Sequence, residues 1–585
     1  MRFGGEFRHG GSDYLRAQYG RGRVRFSSLE DFIAGKVRKN SFGGGDLLVG
    51  DAHRDMSLTA VGGFAQDDWR IRSRLTLNLG VRYDLSFPIK EQHDLMANFL
   101  INSGVVQVGH GNNNIYPLEN NALSPRIGFA WDIFGTGKTV LRAGGAIIFE
   151  QPSIRDFINS GGVNLNPTTP TSGTTPGNGT INTFVLSLDS SQINWTASAL
   201  AGASPSVPIF NTALAGNCNP GNPCSTAGIA PNLRTPYVAS WNFNVQHQLT
   251  TTTVLQVGYV SNHGIKLYSN RDINQVSPEV DDGSEQFGRP FTYSCPAPIG
   301  GGAGGPCYPY IGFMQYMENA SSSEYNGLQA TLTQKAWKGL NILAGYTWAH
   351  VIDTATSNLA GVPQNSLDYA AERGNGDYDI RHRFTLIYDL PSWKAPLQMG
   401  KGWQVTSILN FQAGMPYTLY DSSDDISATG EGADRWDFHG NASDIHWSPS
   451  TPIPFFVDGT TNPACVAQAA DQGNLAYYGC FQQGSAVITP PASGTFGNMG
   501  SNIFRGPAFH NWDMSVTKLW KLSEHVNLQM RGEFFNILNL TNFAGFATDL
   551  SDAVFGANDG SGAVSTIAYF GLAPFLPCTC VFASS

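Results

Sequence analysis

From Leu75 to Leu85 the chain reads Leu-Thr-Leu-Asn-Leu-Gly-Val-Arg-Tyr-Asp-Leu, and every second residue is apolar. A β-strand sends successive side chains to opposite faces, so this segment has one greasy face and one wet face. The pattern recurs. Trp241, Phe243 and Val245 alternate with Asn242, Asn244 and Gln246, and Val526, Leu528 and Met530 alternate with Asn527, Gln529 and Arg531. Such alternation predicts strands near 57–70, 73–88, 122–133, 138–150, 236–249, 252–268, 323–336, 340–351, 378–390, 402–413, 508–520 and 525–538. Weaker candidates lie at 1–8, 17–27, 35–42 and 564–574.

The connections between these strands fall into two alternating classes. Ile71-Arg72-Ser73, Gly135-Thr136-Gly137, Thr250-Thr251-Thr252, Trp337-Lys338-Gly339 and Lys521-Leu522-Ser523-Glu524 are tight, and the Pro-containing link at 391–401 is the longest of the short set. Between them run long excursions at 89–121, 151–235, 269–322, 352–377 and 414–507. Short turns on one side and long loops on the other are the signature of an antiparallel transmembrane β-barrel, with periplasmic turns and extracellular loops. The tryptophans fit two interfacial girdles: Trp69, Trp131, Trp337, Trp393, Trp403 and Trp520 lie beside short turns, and Trp241, Trp348 and Trp512 lie toward the long loops. On this reading the wet face, with Asn78, Arg82, Asp84, Asn527, Gln529, Arg531 and Glu533, lines the lumen. Lipid of the outer membrane covers the other face.

Composition agrees. Charged residues are 14% of the chain, against about 25% in soluble domains, and no apolar run approaches the roughly 20 residues of a membrane-spanning helix. A net charge of −10 speaks against nucleic acid as a partner, which requires clustered Lys and Arg. The opening Met1-Arg2-Phe3-Gly4-Gly5-Glu6-Phe7 lacks the apolar core of an export signal, so the expectation is a fragment of an exported protein.

The cysteines fall in close pairs, and three pairs sit each in a different long loop: Cys218 with Cys224, Cys295 with Cys307, and Cys465 with Cys480. Local disulfides suit that placement outside the cell. No zinc spacing is present, and neither a metal nor another cofactor is called for.

The ordered segments Gly63-Phe64-Ala65-Gln66-Asp67-Asp68-Trp69, Ser124-Pro125-Arg126-Ile127-Gly128-Phe129-Ala130-Trp131, Arg234-Thr235-Pro236-Tyr237 and Tyr325-Asn326-Gly327-Leu328-Gln329 continue into Asp379-Ile380-Arg381-His382-Arg383-Phe384, Arg505-Gly506-Pro507 and Arg531-Gly532-Glu533-Phe534-Phe535-Asn536. In this order the chain resembles the barrel portion of a TonB-dependent outer-membrane receptor of the Oar-like, acidobacterial type. The resemblance implies a 22-stranded barrel, of which about 12–16 strands are legible in residues 1–575. Plug, TonB box and signal peptide are not found, and 576–585 form an atypical tail. It further implies energised uptake of a bulky ligand such as a glycan or metal chelate, with the TonB–ExbB–ExbD system reached only through the missing N-terminal plug.

No His-Glu-x-x-His, Gly-x-Ser-x-Gly or phosphate-cradling loop appears, and no catalytic residue is assigned. Glu372, Asp377, Asp379, Arg381, His382 and Arg383 read as charges pairing at the outer rim. Asp421, Asp424 and Asp425 lack the regular spacing of a calcium loop. Trp436, His439, His446 and Trp447 are the ligand-contact candidates, with packing inside the loop as the alternative. A surface adhesin using the same loops is the second functional reading, and a barrel hydrolase the third.

Overall fold

The computed structural model describes residues 1–15, 23–26, 29–37, 45–49, 53–93, 96–108, 114–154, 157, 184–188, 193, 224–277, 289–291, 311–337, 339–356, 363–390, 402–421, 426–429, 434–445, 453–521, 527–546, 550, 569–571 and 579–584. Fourteen strands of its 17-stranded main sheet form an up-and-down antiparallel meander, and one short strand, Cys224–Ile229, joins Ile311–Trp337 in parallel. The strands are β1 (Arg2–Leu15), β2 (His53–Arg72), β3 (Leu75–Ser86), β4 (Leu123–Asp132), β5 (Thr139–Phe149), β6 (Tyr237–Gln248) and β7 (Thr253–Asp272). They continue as β8 (Ile311–Trp337), β9 (Leu340–Asp353), β10 (His382–Leu390), β11 (Trp403–Gln412), β12 (Phe509–Lys521), β13 (Asn527–Phe534) and β14 (Thr579–Ser584). Each pairs with the next in the chain. Among the described residues no pairing joins β1 to β14, so the cylinder is not closed.

All twelve strands expected from alternation are present, and two more flank them. The first weak candidate, 1–8, extends to Leu15. The segment 576–585 contributes β14, antiparallel to β13. Of the other weak candidates, Arg23–Val24 and Tyr569–Gly571 are short strands of small separate sheets. In the 35–42 candidate only 35–37 are described, and they are not strand. β7 and β8 are longer than alternation indicated, at 20 and 27 residues, whereas a bilayer needs about 9–11. Their pairing runs past the other strands on the long-loop side, through irregularities around Gly264–Ser269.

The short turns have local causes. The Asp132 carboxylate accepts from the backbone N–H of Gly135 (2.9 Å) and Gly137 (2.8 Å). Both glycines hold a positive φ, +72° and +71°, which a side chain disfavours. At the β6–β7 turn the Thr250 hydroxyl accepts from the N–H of Thr252 and Thr253.

The wall carries its apolar groups outward. Leu79 lies opposite Ile127 in register, and Ile127, Trp241 and Trp348 are 63%, 49% and 54% exposed. In water such a continuous apolar surface would be unfavourable; in a bilayer it is the solvated face. At the short-turn end, Lys518 Nζ lies 5.4 Å from the Trp403 ring centroid and 5.3 Å from that of Trp520. An amphipathic side chain among interfacial indoles belongs at headgroup level. Trp393 and the side chain of Trp337 lie outside the described residues. The packed apolar cores sit instead at the long-loop end, among the long loops and the strand ends that lead into them. One joins Met56, Ile89, Tyr116, Phe157, Tyr268 and Met317.

The largest core organises the 413–508 excursion into a lobe. Trp436, Phe481, Ile488, Met499 and Phe504 pack together at its centre. Around them lies a four-stranded antiparallel sheet in the order Asp437–His439, Ala486–Thr489, Cys480–Gln483, Phe455–Phe456. Two short helices complete it, α1 (Pro463–Gln468) and α2 (Gln472–Tyr478). The Asn462 side chain caps α1 by accepting from Ala464 N–H (2.9 Å), and Asp471 caps α2 by accepting from Gly473 N–H (2.6 Å). Cys465 and Cys480 form a disulfide. Cys218, Cys295 and Cys307 lie outside the described residues, as does the side chain of Cys224.

A polar cleft at the outer rim

The charged run between β9 and β10 is packed between the lobe and the strand ends. Its glycines let the segment press against two walls. A Cβ on Gly374 would lie 2.5 Å from the Ser501 carbonyl, and one on Gly376 would lie 2.7 Å from the Asp353 carboxylate. Larger residues would push the segment off both the lobe and the strand end.

Asp379 ties this segment to the end of β9 and to the lobe. Its side chain is fully buried, and it accepts from Val351 N–H (2.7 Å), Arg381 Nε (2.8 Å) and the Arg505 guanidinium. His350 Nδ1 lies 3.2 Å away, and Arg381 Nη2 lies 3.2 Å from His350 Nε2. A carboxylate only accepts and a guanidinium only donates, so the arrangement fits the neutral ring with its proton on Nδ1. Burial acts to raise the Asp379 pKa, but the Arg505 guanidinium, the Val351 N–H and His350 together outweigh it and hold the carboxyl below its usual range.

The lobe is fastened beside it. Arg435 Nη1 and Nη2 donate to the two Glu372 oxygens at 2.6 and 2.9 Å, and both side chains are about nine-tenths buried. Gln364 accepts from Arg435 N–H (2.7 Å) and donates to the Gly497 carbonyl (3.2 Å). Asn502 Nδ2 donates to the Asn375 carbonyl (2.8 Å) and to Asp377 Oδ1 (2.7 Å). Of the rim charges, Glu372, Asp379 and Arg381 therefore form ion pairs, whereas Asp377 is met by the Asn502 amide and His382 by the Tyr346 hydroxyl.

Between the 353–377 segment and the lobe lies a polar cleft of about 310 Å³, lined by Asp353, Tyr369, Asp377, Tyr420, Arg435 and Asn502 among others. Thr356 bridges its acidic side: the hydroxyl donates to Asp353 Oδ2 (2.9 Å) and accepts from Asp377 N–H (2.9 Å). Tyr369 is pushed up by burial, with the Ser269 contact opposing and nearby carboxylates reinforcing, so its phenol stays a neutral donor.

The sequence candidates distribute unevenly around this cleft. Trp436 is fully buried in the lobe core, its indole donating to Asp421 Oδ2 (3.3 Å), so it packs the lobe. His439 ends a lobe strand and is half-buried, and it is not among the lining residues. His446, Trp447, Asp424 and Asp425 lie outside the described residues. On the polar face of the wall, Asn78 donates to Asp68 (2.6 Å), and Arg82 donates to Asp84 (2.7–3.0 Å) and Glu6 (2.9 Å). Arg531 pairs with Glu533 and donates to Ser515 (3.2 Å), and Asn527 and Gln529 extend the same face toward the turn. Arg435, Gln364 and Asn502 were not singled out by the sequence reading. One signal was available: Arg435 and Arg505 are the only cationic Lys or Arg residues between 414 and 507.

A transmembrane antiparallel wall with apolar groups outward, short turns at one end and folded loops at the other defines an outer-membrane β-barrel. Residues 1–566 match the model of the outer membrane beta barrel domain, and the chain belongs to that family. It is located in the outer membrane. The TonB-dependent transporter Oar of Myxococcus xanthus is 38% identical over 93 residues, which are 16% of this chain and 7% of Oar. Among solved structures, the outer membrane transporter YddB of Escherichia coli is similar at TM-score 0.42 and 10% identity, covering 97% of this chain and 49% of YddB. The ferripyoverdine receptor of Pseudomonas aeruginosa is similar at TM-score 0.39 and 10% identity, over 93% of this chain and 42% of the receptor. The chain thus spans less than half the length of these proteins.

Proposed function

We propose that this chain is the barrel portion of a receptor for TonB-energised uptake of a bulky polar ligand, a glycan or a metal chelate. The observation that carries the reading is the outer-rim cleft, walled by two separate long connections and fastened by Arg435–Glu372. A hydrogen-bonding recess at the mouth of a barrel suits capture before passage. The local identity with Oar supports the TonB-dependent assignment. In this reading Asn78, Arg82, Asp84, Asn527, Gln529, Arg531 and Glu533 line the lumen. Coupling to the TonB–ExbB–ExbD system runs through a plug domain.

The test is uptake of labelled oligosaccharides and ferric chelates by cells carrying the full-length gene, with and without a working TonB. Accumulation of one solute that disappears on loss of either the gene or TonB is expected. Surface capture that persists without TonB, with no accumulation, overturns uptake and favours the adhesin.

A further inference from the structure

We propose that the outer-rim cleft selects a ligand bearing an ammonium group on a hydroxyl-rich frame, an amino sugar oligomer, and rejects anionic chelates. The proposal rests on the reading of this cleft as the capture site and narrows its ligand class. Three observations carry it.

First, Asp353 and Asp377 both line the cleft: the Thr356 hydroxyl donates to the Asp353 carboxylate and accepts from the Asp377 backbone N–H, and the Asp377 carboxylate takes only the neutral Asn502 amide. Among the described residues neither carboxylate has a Lys, Arg or His within ion-pair distance. The nearby arginines are committed elsewhere: Arg435 to Glu372, Arg381 and Arg505 to Asp379, and Arg373 to Glu324. An ammonium group between the two would supply the missing counter-charge.

Second, Arg435 Nε has no hydrogen-bond partner among the described residues, although the side chain is more than nine-tenths buried and lines the cleft. A buried N–H without an acceptor is costly, and a sugar hydroxyl or ring oxygen is the acceptor it lacks. Tyr369 and Tyr420 offer flat rings and phenol groups alongside it, the mixture that suits a sugar ring.

Third, the excursion is acidic. From 414 to 507 it carries Asp421, Asp424, Asp425, Glu431, Asp434, Asp437, Asp444, Asp458 and Asp471 against Arg435 and Arg505. Anions approaching this rim are repelled and cations are concentrated there.

The experiment uses the full chain folded in detergent, with calorimetric titration of four probes: fully deacetylated chitotetraose, its N-acetylated counterpart, spermidine and ferric citrate. The deacetylated tetramer is expected to bind about tenfold or more tightly than the acetylated one, the equivalent of one charge-assisted contact. D353N/D377N is expected to remove the margin between the two tetramers, with the far-UV spectrum and heat-modifiable migration of the parent. Spermidine matching the deacetylated tetramer overturns the amino sugar assignment, because a bare polyamine carries no hydroxyl-rich frame. Equal binding of both tetramers, a margin that survives D353N/D377N, or tight binding of ferric citrate overturns the proposal. None of these results depends on TonB, so failure here is separable from failure of uptake.

Discussion

Arg435 and Glu372, 63 residues apart in the chain, meet in a two-point ion pair at 2.6 and 2.9 Å, fastening the lobe to the segment that leads into β10. Parallel N–H···O bonds to a planar carboxylate are the strong form of such a contact. Because both groups are buried, removing one strands the other. R435M is expected to loosen the lobe by about 3–5 kcal/mol, read as faster hydrogen exchange over 363–381 and 434–445 while β2–β7 stay protected. R435M/E372M, which leaves no orphan charge, is expected to lose less.

Acid should act on the neighbouring contact. Asp379 is held below the usual carboxylate range, so its share of rim stability is present at neutral pH. That share is lost as pH falls below the unfolded value near 4 and through the depressed folded one. Limited proteolysis between Gly374 and Arg383 should therefore accelerate at low pH. D379N is expected to be cleaved faster already at pH 7 and to show a flatter acid profile; an unchanged profile would show that another group governs the transition.

The Cys465–Cys480 disulfide closes a segment of 15 residues. Loop-closure entropy puts its contribution at about 3 kcal/mol. It staples α1 to the sheet that holds Trp436, so C465A/C480A should lower the lobe's melting transition. The barrel's heat-modifiable migration, which reports strand pairing, is expected to stay as it was. Loss of both together would mean that lobe and wall unfold as one unit.

The wall was legible in the sequence because a period of two records which face each residue occupies, and lipid enforces that record on strand after strand. Leu75–Leu85 alone placed Asn78 and Arg82 on one face and Leu79 and Val81 on the other. The Cys465–Cys480 pair was legible too, since its partners are close in sequence. The cleft was not. Its fastening residues, Arg435 with Glu372 and Asn502 with Asp377, are brought together by loop packing that leaves no periodic trace. Trp436 shows the same limit: an aromatic residue in a long loop reads alike whether it stacks on a ligand or fills a core. Only its burial against Phe481 and Ile488 separates the two.

The orientation of the wall makes a sharper demand, because it assigns opposite tolerances to residues of one strand. Val81 projects from the apolar face between Ala65 and Pro125, whereas Asn78 sits on the other face against Asp68. A basic side chain on the lipid face costs about 2–4 kcal/mol near the bilayer midplane, but one in a hydrated interior costs little. V81R is therefore expected to shift the urea midpoint of folding into lipid vesicles markedly downward. N78R should stay close to the parent, since it places its charge beside the Asp68 carboxylate. A reversal of these two outcomes would mean that the polar face meets the lipid and that the barrel is inside out. Equal tolerance of both would mean that neither face is in contact with a bilayer.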